Sequence, residues 1–278
     1  MLGLGVPIDG LQELVPEGVQ VIKAPEAWRH TKGRGASLCI LSTGISRHED
    51  LVHWRRESFV TGDGDPTDYN GNGTALAGIV GAAENGAYIV GAAPEAECTS
   101  MKFLGNNGSG TYPDLIRSLG WCVEQQFDVV ALCFGGGGHS DELCAAISRL
   151  TDLGTVVVTG PSERDGRPAI PGCCPGVLSV AKPFVPSPYF PSIPDRSDVV
   201  TWAGRMTSTV LSGGIANDWY SMSEIALVTG AVALVKSVKP TATVDEVRAL
   251  LVETGRDVPG AYPYRQVDAE AAVLRSLG

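Results

Sequence analysis

The sequence predicts an α/β domain in which helices cover both faces of a mostly parallel sheet. Short apolar runs alternate with helical patterns along much of the chain, and this alternation is typical of parallel strands joined by helical crossovers. Residues 221–238 have no polar face at helical spacing over their first half, which predicts a helix that protein buries on all sides. The 278 residues suffice for one large domain with a sizeable core.

The elements of this sheet follow one another in order. A short helix at 25–33 precedes a first strand at 36–41, an apolar run that ends at Ser42-Thr43-Gly44. The Pro-rich residues 183–194 are predicted to form a surface excursion. The other predicted strands cover 98–104, 128–134, 155–160 and 176–182, and the other helices cover 74–83, 112–126, 140–152, 221–238, 245–253 and 268–277.

The net charge and the hydropathy of the chain limit the kinds of partner and the cellular location that we expect for it. The formal net charge of -10 argues against nucleic acid or a membrane surface, because both favour clustered Lys and Arg. Residues 1–16 lack the regions of a secretory signal, and no apolar run is long enough to cross a bilayer. The expected location is the cytoplasm, with no nucleic-acid and no membrane partner.

The cysteines are predicted to be buried or inert thiols. They stand at positions 39, 98, 122, 133, 144, 173 and 174, and several fall inside apolar strand patterns. The adjacent pair Cys173-Cys174 matches no zinc spacing, and a metal or redox role is the alternative for it.

Four short motifs occur in order: ILSTGI at 40–45 followed by HEDL at 48–51, NGNGTALAG at 70–78, VVVTGPSERDG at 156–166 and SMSEIALVTGAVAL at 221–234. They resemble the motifs of the subtilisin-like serine proteases (peptidase S8), and most closely those of the intracellular subtilisins. The resemblance covers nearly the whole chain. It implies a three-layer subtilisin-like fold.

The catalytic positions implied by this resemblance carry other side chains. Ser42 stands at the position of the family's Asp, Asn72 at that of the His, and Met222 at that of the nucleophilic Ser. Ser162 stands at the position of the oxyanion Asn. None of the first three can replace the group it stands for, because Ser42 has no charge, Asn72 accepts no proton near neutral pH and a thioether does not attack a carbonyl.

The sequence therefore predicts a catalytically inactive pseudoprotease, which binds a peptide or protein or pairs with an active relative and regulates it. The alternative is a serine hydrolase with a rearranged site, a slow endopeptidase or acyl transferase. In it, one inserted residue at the start of the helix would place Ser221 or Ser223 at the nucleophile position. No histidine lies in a motif that brings an imidazole there.

A peptide-binding groove is the second implication of the resemblance, because the family binds peptides as an added strand. Gly108-Ser109-Gly110 and Cys133-Phe134-Gly135 match its two edges. The alternative is that these glycines only permit tight turns. Residues 1–19 are predicted to be an extension that either occupies the groove or forms a tail, and residues 20–278 the subtilisin-like domain.

The resemblance also implies a calcium site and self-association. Asp50 matches a calcium-ligating Asp, and the loop 84–90, with Asn85, matches the loop that supplies further oxygen ligands. The alternative for Asp50 is a cap in a turn. Asp63, Asp65 and Asp68 are predicted to be solvated loop carboxylates, with a metal site as the alternative. A homodimer, or a heteromer with an active relative, is expected.

Overall fold

The computed structural model describes residues 13–164, 166–183, 196–202, 204–218, 220–258 and 263–278. Residues 1–12, most of the predicted extension, lie outside the described residues, as does nearly all of the predicted surface excursion at 183–194. Among the described residues, no helix combines the length and the apolar character needed to cross a bilayer.

The predicted long helices and long strands are present, with ends that shift by a few residues, whereas the helix predicted at 25–33 is only a single turn, Ala24–Ala27. The helices are α1 (Glu17–Val21), α2 (Ala24–Ala27), α3 (Asn72–Gly81), α4 (Tyr112–Gln125), α5 (Asp141–Asp152), α6 (Ser223–Val238), α7 (Val244–Thr254) and α8 (Ala269–Leu277). The strands are β1 (Ser37–Ser42), β2 (Arg55–Ser58), β3 (Glu97–Lys102), β4 (Val129–Leu132), β5 (Gly136–Gly137), β6 (Val156–Thr159), β7 (Glu163–Arg164), β8 (Arg167–Ile170), β9 (Leu178–Ala181), β10 (Val199–Val200), β11 (Met206–Thr209), β12 (Ile215–Asp218) and β13 (Arg265–Gln266).

An eight-stranded sheet in the order β13-β10-β9-β6-β4-β1-β3-β2 forms the centre of the molecule. Each neighbouring pair in it is parallel. Parallel strands bring their carboxyl ends to one edge, and β1, β4 and β6 end there in register, with Leu41 beside Leu132 and Leu132 beside Thr159. This confirms the predicted α/β architecture.

Helices cover both faces of this sheet. One apolar cluster joins the sheet to α3, α6, α7 and α8, and a second joins the opposite face to α4 and α5. The residues of α6 from Ser223 to Lys236 are all buried, which confirms the prediction made from its lack of a polar face.

The short strands escaped prediction because their side chains show no apolar run. β2 lies at the edge of the sheet and reads Arg-Arg-Glu-Ser, and charged side chains are common on edge strands, where they discourage pairing with another chain. The antiparallel hairpin β11–β12 and the small sheet β5-β8-β7 are also additions to the predicted set.

The described part of the predicted extension packs on the domain. The Leu14 N–H donates to the Tyr88 carbonyl at 3.0 Å, and Val19 in α1 is fully buried in the core. The Glu17 carboxylate accepts hydrogen bonds from the Thr207 N–H and the Asn217 side chain, which joins α1 to the β11–β12 hairpin. Residues 17–19 therefore belong to the packed domain.

The prediction of inert thiols is wrong for two cysteines. Cys144 on α5 and Cys174 after β8 form a disulfide across a sequence separation of 30 residues. The sequence could not indicate this pair, because only the packing of α5 beside the turn after β8 brings them together. The other five are free; Cys173 is half-buried and the rest are buried, as predicted.

The Asp63 and Asp68 carboxylates form hydrogen bonds that fix the loop before α3. Asp68 is 1% exposed, so the prediction that it is solvated is wrong; it accepts the N–H groups of Asn70, Gly71 and Thr74 and caps the turn before α3. The Asp63 carboxylate accepts a hydrogen bond from the buried Lys102 ammonium at 3.2 Å. No group of three His, Cys, Asp or Glu side chains suited to a metal occurs among the described residues.

We expect the Cys144→Ser/Cys174→Ser double variant to lose about 3 to 4 kcal/mol of unfolding free energy, because the disulfide restricts the unfolded chain across the loop that it closes. Urea unfolding under non-reducing conditions measures the loss. The matched control is Cys173→Ser, which alters the neighbouring free thiol and is expected to cost less than about 1 kcal/mol. Equal stability of the double variant and the parent would contradict the prediction.

Two helical glycines should respond in opposite directions to alanine. A Cβ on Gly230, inside α6, would overlap the Cβ of Ala92, so Gly230→Ala is expected to destabilise the protein by about 1 to 3 kcal/mol. A Cβ on Gly120, on the exposed side of α4, meets no atom within 4 Å, so Gly120→Ala is expected to stabilise it by about 0.5 to 1 kcal/mol. Equal effects in urea unfolding would show that α6 is not packed as described.

Candidate functional site

The carboxyl end of β1 and the first turns of α3 and α6 lie on elements that pack together at one edge of the sheet. Ser42 ends β1, Asn72 begins α3, and Met222 is the residue before α6. The Gly73 N–H donates to Thr43 Oγ1 at 2.9 Å, which holds the start of α3 against the end of β1. Helix α6 packs against both elements. Ligands of open α/β sheets bind at this edge.

The side chains of Ser42 and Asn72 offer only neutral hydrogen-bonding groups. Ser42 is 1% exposed, and its Oγ has no hydrogen-bond partner among the described residues. Asn72 is half-buried, and its N–H donates to Asn70 Oδ1 at 3.3 Å. A hydroxyl and a carboxamide donate or accept hydrogen bonds, but neither exchanges a proton near neutral pH.

Met222 has an unusual backbone conformation and lies against the predicted peptide-binding edge. Its φ of 63° and ψ of 19° place it in the left-handed region, which costs a non-glycine residue about 1 kcal/mol or more. Its Cε lies 3.7 Å from the place that a Cβ would take on Gly135. A thioether therefore occupies the space above the Gly135 backbone.

An ion pair between the buried Glu224 and the exposed Lys182 supports the start of α6, and the sequence analysis identified neither residue as part of the site. Glu224, 5% exposed in the first turn of α6, has Oε2 at 3.4 Å from the Nζ of Lys182, which follows β9. No hydrogen bond satisfies this Oε2 among the described residues. Its negative charge is favourable at a helix N-terminus. No sequence signal links a Lys after one strand to a Glu in a distant helix.

The other groups around α6 stay protonated near neutral pH. The Tyr220 hydroxyl donates to the Ala216 carbonyl at 2.8 Å, and burial raises the pKa of Tyr220 to about 12. Burial also raises the pKa of the Cys133 thiol, and the charge of Glu224 adds to that effect. Ser223 is buried in the first turn of α6, whereas Ser221 is exposed. Neither the phenol nor the thiol is an ionised nucleophile at this edge.

Ser162 uses its hydrogen-bond donors within the protein. Its N–H and its Oγ both approach the Arg196 carbonyl, at 2.8 and 3.0 Å, and its own carbonyl accepts the Ala169 N–H at 3.0 Å. The hydroxyl that sequence reasoning placed at the oxyanion position therefore joins the turn before β7 to the segment before β10.

The two predicted cleft edges face one cavity of about 310 Å³. Gly108, Ser109 and Gly110 line one side of it, and Phe134 and Gly135 line the other. Cys133 is buried behind this surface. The sequence analysis missed the side chains that make the cavity largely apolar, Leu104, Tyr112, Leu115 and Ile170. The glycines that could have served turns alone thus border a groove.

The residues of the predicted calcium site are engaged with N–H groups. The Asp50 carboxylate accepts the N–H of Tyr88 at 3.3 Å and that of Ile89 at 3.1 Å. Asn85 Oδ1 accepts the Ala87 N–H at 2.9 Å, and Asn85 Nδ2 donates to the Glu49 carbonyl. Burial raises the pKa of Asp50. Through these hydrogen bonds Asp50 anchors the loop at Tyr88 and Ile89. A carboxylate or amide oxygen that accepts one N–H keeps a lone pair for a metal, so calcium binding by Asp50 and Asn85 stays a prediction.

The sequence of this chain is similar to those of known proteins of one family. Residues 33–182 match the family described as the subtilase family, peptidase S8. The chain is 32% identical over 237 residues to the intracellular serine protease of Paenibacillus polymyxa, covering 80% of this chain and 73% of the relative. It is 31% identical over 240 residues to the major intracellular serine protease of Bacillus subtilis (strain 168), covering 80% and 75%.

A third relative matches over almost its whole length. The chain is 30% identical over 277 residues to subtilisin DY of Bacillus licheniformis, covering 94% of this chain and 99% of the relative. The four motifs noted in the sequence lie on the sheet and the helices beside it, in order from the end of β1 to the start of α6. This chain therefore belongs to the subtilase family and has its subtilisin-like fold.

Proposed function

We propose that this chain is a non-catalytic subtilase that binds an extended peptide or protein segment in the cleft between residues 108–110 and 133–135. The observation that carries the proposal is the Met222 thioether, which stands before α6 and lies over Gly135. The side chain that resemblance assigns to the nucleophile position fills space at the binding edge. It offers no atom that can attack a carbonyl.

The loss of chemistry extends to each group that hydrolysis would need. Ser42 and Asn72 supply neither a carboxylate nor an imidazole, and the Ser162 hydroxyl is directed at a backbone carbonyl. In subtilisin, a relative of this chain by family, loss of the Ser or the His alone lowers turnover about a millionfold. A chain without all three triad groups retains no turnover of biological use.

The cleft keeps features that suit a bound peptide. Gly108 and Gly110 carry no side chain that would keep a peptide backbone from the first edge, and at the second edge the Met222 thioether lies beside Gly135. The apolar cavity beside these glycines can receive a side chain of an extended segment. Binding needs only these surfaces, whereas hydrolysis needs the triad.

The competing hypothesis is a hydrolase that uses Ser221 or Ser223. The three relatives are named as proteases or as a subtilisin, which makes hydrolysis the activity to test against. Within the described residues, no histidine hydrogen-bonds to either serine: both ring nitrogens of His48 are engaged by Asp50 and Gly214, and His139 is exposed and pairs with Asp141. A serine without a base is a weak nucleophile.

The proposal extends to partners and location. A homodimer, or a heteromer in which this chain regulates an active relative, would use the same cleft or a neighbouring surface. The two relatives named as intracellular serine proteases support a cytoplasmic location.

We expect no fluorophosphonate adduct on this chain by intact mass, because no base activates Ser221 or Ser223, and no hydrolysis of fluorescein-labelled casein. An active subtilisin under the same conditions is the positive control. The variant Ser42→Asp/Asn72→His/Met222→Ser is expected to raise casein hydrolysis about a hundredfold or more above background by restoring general acid–base catalysis.

The variant Ser42→Asp/Asn72→His, which keeps Met222, is the matched control and should gain nothing. An adduct at Ser221 or Ser223 of the parent would overturn the non-catalytic proposal. A folded triple variant that hydrolyses no casein would contradict the described placement of the three positions.

Fluorescein-labelled casein also tests the cleft. We expect Gly135→Val to weaken binding at least about tenfold by fluorescence polarisation, because a branched side chain keeps an added strand from the cleft edge. The nearest atoms to a Cβ at Gly135 are 3.6 and 3.7 Å away, so the Cβ itself overlaps nothing, and circular dichroism of the variant checks that the fold accepts the two methyl groups. The control is Gly64→Val, in an exposed loop with no atom within 4 Å of its Cβ. Equal affinity of the two variants would refute peptide binding in this cleft.

A further inference from the structure

The Cys144–Cys174 disulfide lies beside the proposed peptide cleft. The second cleft edge continues into β5, and Gly136 and Gly137 of β5 pair antiparallel with the last two residues of β8. Cys144 lies in the first turn of α5, which begins shortly after β5, and Cys174 lies in the turn after β8. The disulfide therefore joins the chain that leaves one strand of this ribbon to the chain that leaves the other.

The ribbon of β5 and β8 is too short to be stable by itself. Within the described residues it has two residue pairs, and one further backbone hydrogen bond runs from the Gly138 N–H to the Pro168 carbonyl at 3.2 Å. Residues 135–138 are all glycine, which loses more conformational freedom on ordering than any other residue. An isolated two-stranded ribbon is at best marginally stable in water. The position of this cleft edge therefore depends on the elements to which the ribbon is attached.

A disulfide is uncommon in the location proposed for this chain. Cytosolic thiols are kept reduced, and the disulfides found there are usually transient ones with a catalytic or redox-sensing role. The two relatives named as intracellular serine proteases support a cytoplasmic location for this chain. In that compartment a reductant acts on the Cys144–Cys174 bond, and the place of the bond beside the cleft gives its reduction a consequence.

A small reductant can approach the disulfide from the side of Cys174. Both cysteines are buried, but Cys174 also lines a cavity of about 710 Å³, together with Gly172 and Gly176 of the same turn and Arg248 of α7. The described lining does not include Cys144. This cavity shares no lining residue with the cavity of the peptide cleft, so a bound peptide leaves the approach to Cys174 open.

We propose that the Cys144–Cys174 disulfide is a redox switch of the peptide cleft, which binds its peptide when the bond is closed. This inference rests on the proposed function of the cleft. One thiolate of a dithiol attacks Cys174 Sγ, the S–S bond breaks, and Cys144 leaves as a thiolate that takes up a proton. The second thiol of the reductant then displaces Cys174, so that the dithiol is oxidised to a disulfide and the protein gains two thiols. Without this tether the β5–β8 ribbon loosens, and the peptide loses one edge of its cleft.

Fluorescence polarisation with fluorescein-labelled casein, with and without dithiothreitol, measures the switch. We expect the reduced chain to bind casein at least about tenfold more weakly than the oxidised chain. Cys144→Ser/Cys174→Ser should bind as weakly as the reduced parent and should not respond to dithiothreitol. The matched control Cys173→Ser keeps the disulfide and should respond like the parent. Alkylation followed by mass spectrometry establishes the redox state of each sample, and circular dichroism establishes that it is folded.

Hydrogen–deuterium exchange of residues 135–140 separates the switch from the proposed function. We expect faster exchange of these amides after reduction and unchanged exchange in α6, whether or not casein binds. Equal exchange of the oxidised and reduced chains, or equal casein affinity of the two forms, would overturn the switch. A bond that stays closed in a buffer of mostly reduced glutathione would identify the disulfide as purely structural. Casein binding to neither form would overturn the proposed function, and the exchange would then decide the inference alone.

Discussion

The burial of α6 on every side is the constraint on which the structure depends. Its residues from Ser223 to Lys236 contact the sheet on one side and α3 and α8 on others. Gly230 permits this packing, since a Cβ there would overlap that of Ala92. The helix cannot slide or turn without exposing apolar surface to water. The places of Met222 before it and of Glu224 in its first turn are therefore set by the core.

Because the fold depends on the packing of α6 in the core, it does not depend on the side chains at the positions assigned to the triad. The apolar core needs no particular side chain at the three positions assigned to the triad, so a hydroxyl at Ser42, an amide at Asn72 and a thioether at Met222 fit a scaffold of the subtilase family. A fold and the activity of a site on it vary independently. The glycines at residues 108, 110 and 135 and the apolar cavity beside them lie on this scaffold.

The surfaces outside the core divide into separate regions. The proposed peptide cleft lies near β4, β5 and β8, whereas a second cavity, lined by residues 45–56 and Gly213, lies on the connection from β1 to β2. The disulfide between α5 and the turn after β8 tethers the segment that follows the Ile170 side of the cleft. A ligand in one cavity therefore leaves the lining of the other exposed.

The sequence by itself determined the order of the elements, the parallel sheet and the buried helix, because periodic apolar patterns report which faces are buried. By resemblance it also predicted which residues stand at the triad positions and which form the two edges of a peptide cleft; five of the six edge residues line one cavity in the structure. Only the tertiary structure decided the Cys144–Cys174 disulfide, the Glu224–Lys182 ion pair and the role of Asp68 as a buried cap. These features depend on contacts between residues far apart in the chain, and a local sequence pattern does not predict such contacts.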